Sequence, residues 1–272
     1  MRRIFLLTKN AFRGMLHARS LYLWVLAAVL IALRLLPLIL IPNPRVPAGL
    51  TPAMQARLAE LIRNRTPNTL AGGLNEWSLL CIVFGILVGA TAVSKEINSK
   101  TIITTLARPV ERWELLFGKW IAIQLFAVAS LAIGVALFEA AATYFQVPFS
   151  SIVWIGVAHA LVATVLYSGI AIAVSTVLSP TLSGAIAVLA AFLPGLISFL
   201  LEDTDRVRHA FGVVLDYVVP PGYSNLYTIA VRAGAVVDYS AQYKSLLENL
   251  GYSAIFFVIG CVMFRRRELQ LG

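Results

Sequence analysis

The sequence predicts an all-α membrane protein with six crossings, and three observations carry that prediction. Mean hydropathy is +0.83. Of the 272 residues 59% are hydrophobic and only 13% are charged, against about 25% charged in a soluble domain. The apolar residues are also gathered into runs, and a helix needs about 20 mostly apolar residues to cross ~30 Å of hydrocarbon. The runs are 21–41, 77–93, 120–138, 152–178, 181–201 and 246–264. They leave no room for a separate soluble domain, so residues 1–272 read as one transmembrane unit.

Residues 1–19 come before the first run. Ile4, Phe5, Leu7, Ala11, Phe12, Met15 and Leu16 share one helical face, and Arg2, Arg3, Lys9, Arg13 and His17 share the other. This pattern predicts an amphipathic helix lying in the headgroup layer, and it lacks the cleavage site of a signal peptide. The basic residues also set orientation. Thirteen Lys and Arg fall in 1–19, in 94–119 and after the sixth run, eight fall in the alternate loops, and Arg34 lies within the first run. Cytoplasmic loops carry the excess. Both termini and 94–119 are therefore expected inside, and 42–76 and 202–245 outside. The net charge of +9 is explained by this placement, which leaves no case for a nucleic-acid partner.

In the first outside loop, Thr51 and Pro52 start a short helix with Met54, Leu58, Leu61 and Ile62 on one face, and Arg65-Thr66-Pro67-Asn68 is expected to end it. The second outside loop places Val207, Phe211, Val214, Leu215 and Val218 on one helical face before Pro220-Pro221-Gly222 breaks the helix. It reads as a re-entrant or surface-lying helical hairpin before the sixth run. Pro194-Gly195 predicts a kink near the outer end of the fifth run. The fourth and fifth runs are joined by a turn around Ser179-Pro180-Thr181, so they must be antiparallel neighbours.

The densest polar stretch is 94–119, and it carries more structure than a connector needs. The second span is expected to continue through Ser94, Lys95, Glu96 and Ile97. Asn98 or Ser99 can then cap a piece with an apolar cluster of Ile102, Ile103 and Leu106, which Arg108-Pro109 ends. A helix restarts at 110–120, with Trp113 and Trp120 at the interface and Lys119 snorkelling outward. Apolar residues ringed by charge suit either a docking surface for another protein or a segment lying on the headgroups.

The stretch KEINSKTIITTLARPVERWELLFGKW resembles the segment after the second span in type-2 permeases of ATP-binding-cassette exporters. The matching positions are Glu96, Ser99, Lys100, Thr101, Ile102, Arg108, Pro109, Arg112, Trp113, Glu114, Gly118 and Lys119. Lys100 stands where that family often has Gly. The interfacial helix, the six spans, the outside hairpin and Tyr217–Leu226 agree with the same family over the whole chain. The resemblance implies that 94–119 holds a coupling helix seated on an ATPase subunit. Glu96, Ser99, Lys100, Thr101, Ile102, Ile103, Leu106, Arg108, Pro109, Arg112 and Glu114 would be the contacts. It further implies two ATPase copies carrying ATP and Mg2+, a second permease copy or a homologous one, and a plasma membrane, in bacteria the inner one. An accessory extracytoplasmic protein fits the same scheme.

This chain carries no phosphate-binding loop of its own. Its one Gly-Lys, Gly118-Lys119, is followed by Trp120, and Trp113 stands where the first Gly belongs. His17, His159 and His209 fall in separate regions, and no acidic pair lies within a span. No catalytic residue, metal ligand set or cofactor is expected. Cys81 and Cys261 sit within runs as small apolar residues.

Charges in hydrocarbon mark function by default. Arg34 has three readings: snorkelling, a pair with Glu139, or substrate contact. His159 reads as a packing residue. Gly85 and Gly89, with Ser183 and Gly184, permit close helix approach, which the resemblance places at the path or dimer interface. Two alternatives stay open: an ATPase-coupled assembly or scaffold protein without transport, and a secondary transporter, which would need inverted repeats and acidic groups at mid-membrane. The orientation is tested by single cysteines. Gln55→Cys and Ser240→Cys should label with a membrane-impermeant thiol reagent in intact cells, and Ser99→Cys should not. The opposite pattern inverts the topology.

Overall fold

The computed structural model describes residues 2–17, 25, 29, 51–98, 111–147, 150–201, 223, 226–230 and 237–266. Among them every regular element is helical. In chain order these are α1 (Arg2–His17), α2 (Pro52–Ala92), α3 (Ser94–Asn98), α4 (Arg112–Tyr144), α5 (Ile152–Ser175), α6 (Pro180–Leu201), α7 (Tyr227–Ala230) and α8 (Tyr239–Arg266). Four stretches are long and apolar enough to cross a membrane: Pro52–Ile97, α4, α5 and α8. The expected crossings 77–93, 120–138, 152–178 and 246–264 fall on them. The apolar part described in α6, Pro180–Leu193, is shorter. The first expected crossing, 21–41, lies outside the described residues apart from Val25 and Val29, both helical and exposed.

The start of α2 agrees with the sequence, since Thr51 is its N-cap and Pro52 its first residue. Its end does not. The short outer helix expected to stop at Pro67 continues without a break to Ala92, giving 41 residues, or about 61 Å. Pro67 removes one donor and crowds the preceding turn, a penalty of about 3 kcal/mol. Just beyond it Leu70, Leu74 and Trp77 enter a core shared with Leu131, Phe138 and Tyr227. Each such side chain contributes about 1.5–3 kcal/mol on burial, so packing outweighs the local penalty. Before Pro67, Met54 and Leu61 remain exposed.

Helices α4 and α8, with 33 and 28 residues, are longer than their apolar runs, whereas α5 stops at Ser175, short of the expected 178. Helix α4 starts at Arg112, inside the polar stretch. It ends in a turn where Val147 N–H donates to Ala142 O at 2.9 Å, with Gln146 at a positive φ of 55°. Asp238 caps α8 by accepting from Ser240 N–H and Ala241 N–H at 3.0 and 3.3 Å. The Ser240 hydroxyl, then the backbone N–H groups, hold this carboxyl below its usual range. The cap is therefore present above the ordinary carboxylate pKa and lost as pH falls through the lowered value. Glu248 and Asn249, near the start of the sixth run, lie nine and ten residues after Tyr239, with Asn249 buried. Helix α6 passes through Pro194-Gly195 as one element. Of the segment expected outside, 202–222 falls beyond the described residues, while Tyr227 of α7 is buried against α2 and α5.

Helix α5 is the centre of the bundle, buried for most of its length and meeting α2, α4, α6, α7 and α8. Small residues set these contacts. A Cβ at Gly85 would stand 2.8 Å from Thr164 Cγ2, and one at Gly89 would stand 2.9 Å from Ser168 O. A Cβ at Gly156 would stand 2.7 Å from the Tyr227 ring, and the Tyr227 hydroxyl is hydrogen-bonded to Ser78 Oγ at 2.8 Å. His159 is fully buried on α5.

Helix α1 is amphipathic as expected, but it is not free in a headgroup layer. Leu7 meets Gly118 of α4, where a Cβ would be 2.9 Å from Leu7 Cβ, and the Phe12 and Phe126 rings lie 6.3 Å apart. Both contacts advance along both chains, so α1 and α4 run in the same direction. The seat is narrower than the apolar arc, which leaves Phe5 67% exposed.

These contacts separate glycines that must stay from those that need not. Gly89→Ala should lower stability by about 1–3 kcal/mol, because the backbone oxygen of Ser168 cannot move aside. Gly14 has nothing within 4 Å, so Gly14→Ala should raise stability by up to about 1 kcal/mol. Thermal unfolding of the purified variants decides, and equal effects would contradict the α2–α5 contact.

Candidate functional site

The polar stretch between α2 and α4 is described at its two stems, 94–98 and 111–119. Ser99, Lys100, Thr101, Ile102, Ile103, Leu106, Arg108 and Pro109 lie outside the described residues. Glu96, Arg112 and Glu114 can be placed.

Helix α2 breaks at Val93, with φ −108° and ψ −46°, and the short α3 carries Glu96. Lys119, one turn from the apolar part of α4, reaches across to this break. Its Nζ donates to Ala92 O at 2.6 Å and to Glu96 Oε1 at 2.6 Å. Its side chain is 13% exposed and that of Glu96 31%. The expectation that Lys119 snorkels outward is thus corrected: a carbonyl at the end of α2 and a carboxylate turn it inward. A cation at a helix C-terminus is favoured by the dipole, and the carboxylate offsets the loss of water around the ammonium.

The start of α4 is built by its own acidic residues. Glu111 is the N-cap, its side chain accepts from the N–H of Glu114, and its own N–H donates to Glu114 Oε2 at 3.0 Å. The Trp113 indole N–H donates to Glu111 Oε2. Arg112 turns to the end of α8, donating from Nη1 to Phe264 O at 2.8 Å and Arg265 O at 3.2 Å. Its guanidinium carbon lies 5.6 Å from the Phe264 ring centroid. Trp120 stacks on Phe257 of α8, with centroids 4.9 Å apart. The stems therefore join α1, α2, α4 and α8 at one end of the bundle, the end bearing Lys119 and Arg266.

The structure gives several sequence-selected residues internal neighbours. Glu96 pairs with Lys119, Glu114 completes a cap, and Arg112 holds α8. Gly85 and Gly89 were assigned to the path or a dimer face. Both are buried against α5 of the same chain, with Thr164 and Ser168 close beside them. Gly184 likewise faces Ala90 of α2, whose Cβ would lie 3.6 Å from a Cβ at Gly184, and the Ser183 hydroxyl donates to Ser179 O at 2.9 Å. Glu139 is exposed on α4, and its suggested partner Arg34 lies outside the described residues. Among the described residues no three His, Cys, Asp or Glu side chains come together. The Glu111–Glu114 cap was missed, because Glu is not among the usual N-cap residues and only Glu114 at the third helical position fits the capping-box pattern. The link from Arg112 to α8 leaves no local signal.

Arg112→Ala removes two charge-assisted hydrogen bonds from the last carbonyls of α8. Unfolding stability should fall by about 1–3 kcal/mol, and amide exchange should quicken at 262–266. Unchanged exchange there would show that the link carries no stability.

Compared with models of known families, the chain matches that of the ABC-2 family transporter protein over residues 15–269. No curated protein gives a match. The match takes in the spans, both stems and the segment between them, and the chain belongs to the ABC-2 family of transporter proteins as a multi-pass membrane protein.

Proposed function

We propose that this chain is the permease subunit of an ATP-driven exporter, and that residues 94–119 receive the motion of a separate ATPase subunit. The observation that carries this reading is the joint of Lys119 with Glu96 and Ala92 O. A push on the segment between the stems reaches α2 and α4 together, because one cation holds both. Arg112 passes the same displacement to α8, and Gly118 passes it to α1. In this reading Ile102, Ile103 and Leu106 supply the apolar anchor, and Ser99, Lys100, Thr101, Arg108 and Pro109 frame it. The chain is not itself an enzyme. ATP and Mg2+ are bound by the partner, present in two copies, and two permease chains assemble around the path. The membrane is the bacterial inner membrane, with both termini in the cytoplasm.

The joint gives a test that spares the spans. Lys119→Met removes the ammonium from the Glu96 carboxylate, and Glu96→Gln removes the anion from Lys119. Because both side chains retain some exposure, each change should cost about 1–3 kcal/mol, below the range for a fully buried pair. Each should lower permease-stimulated ATP hydrolysis in the reconstituted complex at least about tenfold, while helicity and co-purification with the ATPase persist. The exchange Glu96→Lys with Lys119→Glu should recover part of the stimulation. Full stimulation in both single variants would remove the joint from the coupling route.

A further inference from the structure

We infer that the outward stripe of α1 binds anionic phospholipid headgroups. Helix α1 seats one flank on α4, and its opposite flank carries Phe5, Leu6, Lys9, Asn10, Arg13 and Gly14, all exposed. Lys9 and Arg13 are four residues apart, so their side chains are neighbours on the helix surface. Among the described residues no carboxylate pairs with either. The chain supplies none nearby in sequence: residues 1–20 hold five basic residues, and the first acidic residue of the protein is Glu60.

The depth of the stripe identifies its occupant. Leu7 touches Gly118, the neighbour of Lys119, and Phe12 touches Phe126. Lys119 is the last charge before the apolar run of α4. Lys9 therefore sits close to the level where α4 passes from headgroups to hydrocarbon, and Arg13, one turn deeper, lies within reach of that level for a long side chain. A cation pair at that level with no carboxylate partner among the described residues meets phosphodiesters. Beside it Phe5 and Leu6, 67% and 50% exposed, add apolar surface that a purely solvated face would not carry. A protein surface of matching acidity is the competing occupant, and it would not favour one lipid charge over another. The inference is independent of the ATPase-coupling reading, since it concerns the full chain in a bilayer without a partner.

The test reconstitutes the purified full-length chain in phosphatidylcholine vesicles with a trace of spin-labelled lipid. Electron paramagnetic resonance then reads the motionally restricted fraction. Spin-labelled phosphatidylglycerol should be restricted about threefold more than spin-labelled phosphatidylcholine, and the excess should shrink with added salt. Lys9→Gln with Arg13→Gln should abolish the excess and leave phosphatidylcholine unchanged. Both side chains are exposed, so the variant folds, and circular dichroism checks this. Lys95→Gln, a neutralised exposed cation on α3, should keep the excess. The inference is overturned by no excess in the parent chain, by an excess that survives in the Lys9/Arg13 variant, or by an equal loss with Lys95→Gln.

Discussion

One ammonium group organises the basic end of this protein. Lys119 Nζ holds the carbonyl of Ala92 and the carboxylate of Glu96, and so joins the break after α2 to the first turns of α4. The surrounding residues make that pairing necessary. Leu115, Leu116 and Val93 are buried around it, and an ammonium among them without a partner would be far costlier than the pair. Once Lys119 is turned inward, Gly118 is left as a bare backbone surface on which α1 can sit. Arg112, two turns earlier, is then positioned over the end of α8. Four helices thus meet through one short stretch of α4.

The opposite half is held by different means. Trp77 fills the notch at Gly134 and donates from its indole to Ser130 O at 2.9 Å. Phe138 fills the notch at Gly73, and Tyr227 the one at Gly156. These are aromatic plates set against bare backbone, each large plate burying substantial apolar area. Such contacts resist separation but have little directional preference. The charged joint is directional and depends on two atoms. The bundle therefore has a broadly packed end and an end whose geometry is set by a few hydrogen bonds.

That contrast explains what could be read from the sequence. Apolar runs depend on composition alone, so the spans at 120–138 and 152–178 emerge with nothing but hydropathy. Helix bounds depend on local chemistry. Thr51-Pro52 was legible at the start of α2, but Pro67 misled because burial of Leu70, Leu74 and Trp77 overrides a local breaker. The partner of a glycine is a tertiary fact. Gly85 and Gly89 promise close approach, and only the fold says that Thr164 and Ser168 come close. Lys119 shows the same limit, since a snorkelling lysine and a paired one read identically until Glu96 is brought across 23 positions. The heart of the stretch, 99–110, lies outside the described residues, so its reading still rests on sequence resemblance.

The two ends also constrain how the helices can move. Helix α2 cannot slide along α5 without Gly85 and Gly89 leaving Thr164 and Ser168, because any offset brings neighbouring side chains into a gap under 3 Å wide for a Cβ. Relative to α5, α2 is therefore a fixed strut. Helix α8 is held differently. It touches α5 closely at Gly260, 3.0 Å from Ala173 for a Cβ, and is tied to Arg112 at its end, while Leu247, Ile255 and Val258 stay exposed. Helix α8 thus lies on α5 along one face, with its end fixed by the two carbonyls that Arg112 holds.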